Sequence, residues 1–416
     1  MQVAKSIMVK VSKKINKDKF LSLRDFFNTC QTVARLYYSY ILENSLEEKL
    51  CSGEMTAKDL KNLLHKKLYK QIRESFDVGS QTVQEIRDVV VEVFNSYAQL
   101  IKKGKSASLP KVEEFTVRLN YPRVVSIFEQ GKEFDFFFKV KLKNKRVAIP
   151  IECGEMQKDL LEDALNGKYK IGAFQLVGRD GLFYFVIPIK KEVEIRQKYD
   201  GVVGVDLGLR YNADAVITLF YKSRKITEVE FLKYRRHMHK IRMLWHRIDE
   251  LKSMLPDGQR TSKRIRMLWN RIRRINDWIA HNISKRIVEI AKENDAMIAM
   301  ENLKGLHPVK GKNSRKNNRM IGNWVRGRVV KYTIYKAKWE GIKVKLVSAK
   351  DTSKTCHLCA RFENRCKFLL RTLPTHLQRR FQRICIGIRA TLPDARGCVN
   401  HPVGLMTYKA PCDSGE

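Results

Sequence analysis

Two carboxylates that each end an apolar run are the residues of this chain best suited to metal chemistry. Asp206 follows Val202-Val203-Gly204-Val205, and Glu301 follows Met297-Ile298-Ala299-Met300. Such runs are typical of buried strands, and a carboxylate at a strand end can meet another from the neighbouring strand. Hard divalent cations prefer these oxygen ligands. The pair predicts a metal-dependent nuclease; a strand-end turn residue for Asp206 and a helix-start cap for Glu301 are the alternatives.

The charge of the chain indicates a polyanionic partner. Its 416 residues are 44% hydrophobic, enough for a large core and for two to four domains. Lys and Arg total 82 against 44 Asp and Glu, a formal net charge of +38. Phosphates would relieve this self-repulsion and release counterions on binding, so nucleic acid is the predicted partner. A ribosomal or merely basic protein is the alternative.

The cysteines and the lack of long apolar stretches predict a cytoplasmic, nucleoid-associated protein. Residues 1–20 are Lys-rich without the apolar centre of a signal peptide, and no stretch of about 18 apolar residues follows. Of nine cysteines, Cys30, Cys51 and Cys153 are scattered, and the other six lie from Cys356 onward. An odd number clustered at one end fits metal ligation better than a disulfide framework.

Hydrophobic periodicity predicts an α+β multidomain fold that begins with a small β-barrel. Alternation in Ile7-Met8-Val9-Lys10-Val11 predicts a first strand, and Ser22-Leu23-Arg24-Asp25 resembles a capping box that starts a helix. Helical stripes follow at Phe26, Cys30, Val33, Tyr37 and Ile41, and at Ile86, Val90, Val93, Tyr97 and Ile101. Further strands are predicted over residues 115–121, 134–142, 147–151, 172–177 and 182–189, the last two joined by a hairpin at Gly178-Arg179-Asp180-Gly181. Residues 21–110 thus form a predicted helical domain inserted into a barrel of residues 1–20 and 111–198.

Residues 199–350 alternate strands with helices, which predicts an α/β domain. An internal repeat lies within it, because the octapeptide from Ile241 to Ile248 recurs almost unchanged from Ile265 to Ile272. Pro256-Asp257-Gly258 separates the two copies, so a helical hairpin is predicted within residues 232–291.

A basic segment follows the second carboxylate. Residues 304–331 carry Lys310, Lys312, Arg315, Lys316, Arg319, Arg326 and Arg328 without an acidic residue. Residues 311–318 are predicted to form a mobile loop, and the basic side chains, Arg328 excepted, are predicted nucleic-acid contacts. Solvated surface is the alternative. Trp324, Tyr332, Tyr335 and Trp339 are predicted to pack between helices rather than to stack on bases.

A zinc knuckle is predicted at Cys356-His357-Leu358-Cys359 in the segment 351–390. Tetrahedral Zn²⁺ needs four ligands, commonly from two such knuckles. The sequence offers no second pair. The remaining candidates are Cys366 and Cys385, then Cys398 and Cys412, with His376 and His401 as further options.

Three motifs in this order resemble the TnpB (OrfB) proteins of insertion sequences, which are relatives of the compact type V CRISPR effectors. They are Gly204-Val205-Asp206-Leu207-Gly208, Met300-Glu301-Asn302-Leu303, and the segment from Asp351 to Cys359. Supporting matches are the segments from Trp278 to Lys285 and from Tyr335 to Val344. The resemblance extends over residues 182–359.

The resemblance implies an RNA-guided DNA endonuclease whose partners are a guide RNA and a target DNA. It implies a β-barrel wedge domain with an inserted helical recognition domain, then a RuvC-like, RNase H-type nuclease domain with a C-terminal zinc ribbon. Asp206 matches the first catalytic carboxylate and Glu301 the second, and together they would hold two Mg²⁺ ions. A nuclease-impaired, RNA-guided DNA-binding protein, acting as a repressor or surviving as a relic, is the alternative. A DNA-strand transposase is less consistent, because no His-hydrophobe-His motif with a tyrosine nucleophile is found.

The tail departs from the family pattern. Ala360 stands where the family usually has glycine, and the usual second Cys-x-x-Cys with a following Asp is missing. Asp394 is the nearest candidate for the third carboxylate; a helix cap or loop aspartate is the alternative. Residues 365–394 are Arg-rich with little periodicity, whereas residues 404–408 in the divergent tail of 391–416 again resemble the family. A reading-frame slip in the gene, or decay of the tail, would produce this pattern.

Overall fold

A computed structural model describes residues 1–112, 115–129, 133–143, 145–179, 181–207, 215–221, 226–302, 314–323 and 325–348. Contacts within the chain divide it into two compact units, an N-terminal unit of Gln2–Glu192 and a C-terminal unit that begins at Val193. No helix in the described ranges combines the length and apolar character needed to cross a membrane.

The N-terminal unit contains strands and helices in mixed order. They are β1 Gln2–Val11, α1 Lys17–Glu43, α2 Leu46–Ser52, α3 Ala57–Ser75, α4 Ser80–Lys102, β2 Val117–Leu119, β3 Val125–Glu129, β4 Phe136–Leu142, β5 Lys145–Glu152, α5 Glu155–Leu165, β6 Lys170–Ile171, β7 Phe174–Arg179 and β8 Leu182–Glu192. The four helices α1 to α4 fall between the first two strands, so the helical segment interrupts the sheet in sequence, as the periodicity predicts.

The sheet of this unit curls into a nearly closed barrel. Its strand order is β2-β7-β8-β1-β5-β4-β3, with β6 beside β8. The edge strands β2 and β3 are joined by residues 120–124 alone, a connection that spans at most about 20 Å. Seven flat strands would hold those edges about 29 Å apart, so the sheet has to bend. Strand β1 pairs with both β5 and β8, so the predicted first strand is part of this sheet.

Aromatic side chains fill the barrel. Phe138 lies 5.3 Å from Phe174 and 5.2 Å from Phe185 between ring centroids, and all three rings are fully buried. The predicted hairpin between the last two strands is confirmed, because Arg179 pairs with Leu182 across the turn. Gly181 has a φ of +74° there, a conformation that a two-residue turn needs and that glycine adopts without strain.

The helices confirm one predicted stripe and correct two other predictions. All five residues of the first stripe are buried in α1. Its cap is not Ser22, however, because Asn16 accepts a hydrogen bond from the Asp18 N–H at 2.8 Å and caps the helix six residues earlier. In α4 the buried side consists of Thr82, Val83, Ile86, Arg87, Val90, Val91, Phe94 and Ala98. Val93, Tyr97 and Ile101 of the predicted stripe are only half-buried.

The C-terminal unit is a five-stranded mixed sheet with long helices. Its elements are β9 Gly201–Leu207, β10 Ala215–Tyr221, β11 Ile226–Leu232, α6 Arg235–Ser253, α7 Lys263–Glu293, β12 Ala296–Asn302, α8 Arg315–Asn323, α9 Arg326–Trp339 and β13 Val344–Ser348. The strand order is β11-β10-β9-β12-β13. The first three strands form an antiparallel meander, and β12 runs parallel to both β9 and β13.

The two copies of the repeated octapeptide lie on α6 and α7. Ile241 and Ile248 of the first copy and Ile265 and Ile272 of the second are buried in one core with the sheet. Helix α9 packs on α7, since Tyr332 stacks on His281 at 4.2 Å and its hydroxyl donates to Asp277 at 3.1 Å. Tyr332 therefore serves helix packing, as predicted.

Contacts at the beginning of three strands fix the register of this sheet. The Lys343 N–H, just before β13, donates to the Tyr199 hydroxyl at 2.7 Å. The Asp200 N–H donates to the Asp295 carbonyl at 3.0 Å and so joins the starts of β9 and β12. The Arg196 guanidinium also pairs with the Asp295 carboxylate. A one-residue slip would break this set and turn every side chain to the other face.

Gly341 is expected to be essential for the stability of the C-terminal unit. It has a φ of +73°, and an added Cβ would lie 2.7 Å from the Glu194 carbonyl oxygen. Gly258 has a φ of +82° with open space around it, so Gly258→Ala isolates the backbone strain of about 1 to 2 kcal/mol. Gly341→Ala adds overpacking and should lower the free energy of unfolding by about 3 kcal/mol. Urea denaturation of both variants checks this, and equal losses would contradict it.

Candidate metal centre

The sheet brings Asp206 and Glu301 side by side. Strands β9 and β12 pair in parallel with Val205 opposite Met300, so the next residues along both strands are Asp206 and Glu301. Each is the last but one residue of its strand. Neighbouring strands lie about 4.8 Å apart. The structure therefore places the two predicted carboxylates at adjacent positions near the carboxyl ends of parallel strands, where open α/β sheets bind ligands.

Both carboxylates belong to the face of the sheet opposite the helices. Val203 and Val205 of β9 and Ile298 and Met300 of β12 pack into the core with α6 and α7. Side chains alternate between the faces of a strand. Asp206 and Glu301, one residue beyond Val205 and Met300, thus lie together on the other face.

The burial of the pair matches a site at the rim of the sheet. Asp206 is 2% exposed, and Glu301 is half-buried. Val347 of β13 is the register partner of Glu301, and Val216 of β10 is that of Asp206. The flanking strands thus add no carboxylate at this level.

Two carboxylates fit a hard cation such as Mg²⁺, which takes one or two of them with water and substrate oxygens. Within the described ranges no group of three His, Cys, Asp or Glu residues is arranged to hold a metal. The described part of the chain thus offers two adjacent candidate ligands, Asp206 and Glu301.

Many of the predicted site residues lie outside the described residues. These are Lys310, Lys312, Trp324, Cys356, Cys359, Cys366, His376, Cys385, Asp394, Cys398, His401 and Cys412. The predicted mobile loop over residues 311–318 is wrong in part, because α8 begins at Arg315. The side chains of Arg315 and Lys316 are outside the described part as well.

Two arginines of the basic segment form ion pairs with acidic residues of other helices. Arg319 forms two hydrogen bonds of 2.7 Å with Asp249, which hold the pKa of its guanidinium above the usual value. Arg328 pairs with Asp277 at 3.2 Å. Burial lowers the pKa of Arg326. Arg319 and Arg328 therefore join helices, a role that the acid-free sequence of the segment does not indicate.

An aromatic cluster on α6 and α7 was not anticipated from the sequence. Trp278 stacks on His237 with 4.5 Å between ring centroids and 20° between the planes, and Tyr234 contacts the indole edge-on at 6.0 Å. The signal in the sequence is the spacing of Arg271, Arg274 and Trp278 by three and four residues, which places them on one side of a helix.

Comparisons with known proteins show which families this chain is similar to. The family model described as Cas12f1-like, TNB domain matches residues 327–387, a range that includes Cys356 and Cys359 and ends before Asp394. A TnpB-like protein of Methanocaldococcus jannaschii is 25% identical over 52% of this chain and 75% of its own length. The CRISPR-associated endodeoxyribonuclease Cas12f2 of a Micrarchaeota archaeon is 29% identical over 47% of this chain and 33% of its own length.

A solved structure has the same fold at low identity. It is the cryo-EM structure of a Cas12f1-sgRNA-target DNA complex, which matches with a TM-score of 0.63 and 14% identity over 92% of this chain and 98% of that one. The sequence relatives and this fold thus agree in kind: the chain is similar to TnpB-like proteins and to Cas12f proteins.

Proposed function

We propose that the protein is an RNA-guided DNA endonuclease of a mobile element, with a RuvC-like, RNase H-type nuclease site at Asp206 and Glu301. The proposal rests on one observation: these carboxylates lie at adjacent positions on one face of two parallel strands. A net charge of +38 supports nucleic-acid partners. The solved relative with a TM-score of 0.63 is a complex with sgRNA and target DNA, which supports a guide RNA and a DNA target here.

Mg²⁺ is the cofactor that we propose for this site. Asp206 and Glu301 would hold it with their carboxylate oxygens. Bound there, Mg²⁺ would activate water and stabilise the leaving oxygen of the cleaved phosphodiester. Asp206 is nearly excluded from solvent, whereas the half-buried Glu301 lies closer to the solvent side of the site.

The remaining assignments rest on the family and on the order of elements. We propose residues 1–20 and 111–198 as the wedge domain, 21–110 as the recognition domain, 199–350 as the nuclease domain and 351–390 as a zinc-ribbon-like segment. Cys356 and Cys359 are the proposed Zn²⁺ ligands, with Cys366 and Cys385 as further candidates.

A nuclease-impaired, RNA-guided DNA-binding protein is the second candidate. Two observations favour it: the described ranges hold no third ligand beside the carboxylate pair, and the sequence beyond Cys359 contains no second Cys-x-x-Cys. A two-metal site with only two carboxylates would bind its ions weakly.

One experiment separates the two candidates. The protein is purified with RNA transcribed from the flanks of its own gene, and binding and cutting of DNA that matches the RNA are measured with Mg²⁺. The controls are unmatched DNA and a chelator of divalent cations. Guided cutting supports the endonuclease, and guided binding without cutting selects the second candidate. Failure to bind any RNA would contradict both.

A further inference from the structure

The outer side of the α6 and α7 hairpin presents an exposed tryptophan in a fixed orientation. Trp278 is 48% exposed although His237 covers one side of the indole and Tyr234 contacts its edge. Burial lowers the pKa of His237 and raises that of Tyr234 to about 12, so both rings are neutral near pH 7. The cluster therefore offers an uncharged aromatic surface to solvent.

Unpaired arginines continue this surface along α7. Met267, Arg271, Arg274 and Trp278 are exposed and are spaced by four, three and four residues, so they share one side of the helix. We call these four residues the Trp278 stripe. Residues 263–276 hold six basic residues and no acidic one. Among the described residues, neither Arg271 nor Arg274 has an ion pair or side-chain hydrogen bond.

Helix α6 adds positive charge beside the cluster. Lys240 is exposed one turn from His237 and contributes to the lowered pKa of that imidazole. Glu230, whose charge acts on Tyr234, is itself bound by Arg286 at 2.9 and 3.1 Å. The surface is thus strongly positive around an aromatic ring, a combination typical of sites for single-stranded nucleic acid.

The stripe is turned away from the carboxylates. Ile279, Ile283 and Ile287 of α7 pack on the sheet face that carries Val205 and Met300, whereas Asp206 and Glu301 belong to the opposite face. At 100° per residue, the Trp278 stripe points about 150° away from these isoleucines. A DNA strand that is cut at the carboxylates would therefore lie on the opposite side of the sheet from the Trp278 stripe.

We propose that the Trp278 stripe binds an unpaired segment of the guide RNA, an inference that rests on the proposed function. An unpaired base stacks on the indole of Trp278, and phosphates of the same strand bind Arg274 and Arg271. Arg271 and Trp278 are about 10 Å apart along the helix axis, which leaves room for more than one nucleotide. Unpaired RNA bases are commonly recognised by stacking on aromatic side chains.

The test measures affinity for a short fluorescein-labelled single-stranded RNA of mixed sequence, beside the matching single-stranded DNA, at a salt concentration that weakens purely electrostatic binding. Trp278→Leu is expected to weaken RNA binding about tenfold, and Trp278→Phe to restore most of it. The double variant Arg271→Glu, Arg274→Glu is expected to lose about one to two phosphate contacts. The slope of log affinity against log salt concentration should become shallower by about the same number.

Two matched controls accompany these variants. Met156→Ala removes another exposed apolar side chain, on α5, and Lys145→Glu with Arg146→Glu makes the same charge change on β5, outside the proposed recognition domain. Thermal unfolding shows that each variant is folded. Unchanged RNA affinity of Trp278→Leu, equal losses from the controls, or a loss confined to DNA would each overturn the inference. If the inference fails but the wild-type protein binds RNA, the proposed function still stands. If the wild-type protein binds no RNA, the proposed function itself is contradicted.

Discussion

Asp206→Ala is expected to slow Mg²⁺-dependent DNA cleavage about a thousandfold or more, with RNA and DNA affinities changed less than about twofold. The carboxylate lies at the carboxyl end of β9 beside Glu301, on the face away from the helical core. It would hold the metal and not the backbone of the nucleic acid. Because binding depends on many phosphate contacts over a strongly basic protein, the loss of one carboxylate should leave affinity almost unchanged.

The measurement pairs single-turnover cleavage with filter binding for the same guided complex. Asp206→Asn keeps the shape of the buried side chain and guards against an effect of misfolding. Glu250→Ala serves as the control because it removes an exposed carboxylate of the same unit, paired with Arg247 at 2.6 Å on α6. It should cut at the wild-type rate. Equal losses of binding and cleavage in the Asp206 variants would contradict the metal assignment.

The prominence of Asp206 and Glu301 in the sequence has a physical basis. Each ends an uninterrupted apolar run, and a charge is acceptable there only at a strand end. The shared level and face of the two residues depend on register, which a short run does not encode. The contact that joins the starts of β9 and β12, the Asp200 N–H to the Asp295 carbonyl, links residues far apart in the chain.

Contacts between residues distant in the chain also explain why other predictions from the sequence differ from the structure. The pairing of Arg319 with Asp249 joins residues that are 70 positions apart, so residues 304–331 look free of acids when only sequence neighbours are considered. Ser22 and Asp25 match the pattern of a capping box, yet the helix already begins at Lys17 because Asn16 supplies the cap. Local patterns predict which residues turn inward, as in α1, better than they predict where an element starts.

The second large effect is expected from the tail, where the genetic code permits the family motif in another reading frame. Read one nucleotide later, the codons of Leu370 and Arg371 can encode cysteine, and those of Leu373 and Pro374 can encode a second cysteine three residues further on. In the same frame, the codons from Gln378 to Ile384 can encode Asn-Ala-Asp-Phe-Asn-Ala. These are the Cys-x-x-Cys and the following aspartate that the family pattern requires, although the glycine after the second cysteine is not permitted.

Sequencing the gene is expected to show codons that fit this frame, such as a Leu370 codon ending in G followed by an Arg371 codon beginning with C. A chain with the frame restored from the Cys359 region onward should bind zinc and cut guided DNA about a hundredfold faster than the present chain, because it supplies the third carboxylate. Changing the restored aspartate to asparagine should remove the gain in cutting but keep the zinc. Asp206→Ala in the restored chain should be as inactive as in the present one. Other codons at these positions, or a restored chain that neither binds zinc nor gains cutting, would refute the slip and leave decay of the tail as its origin.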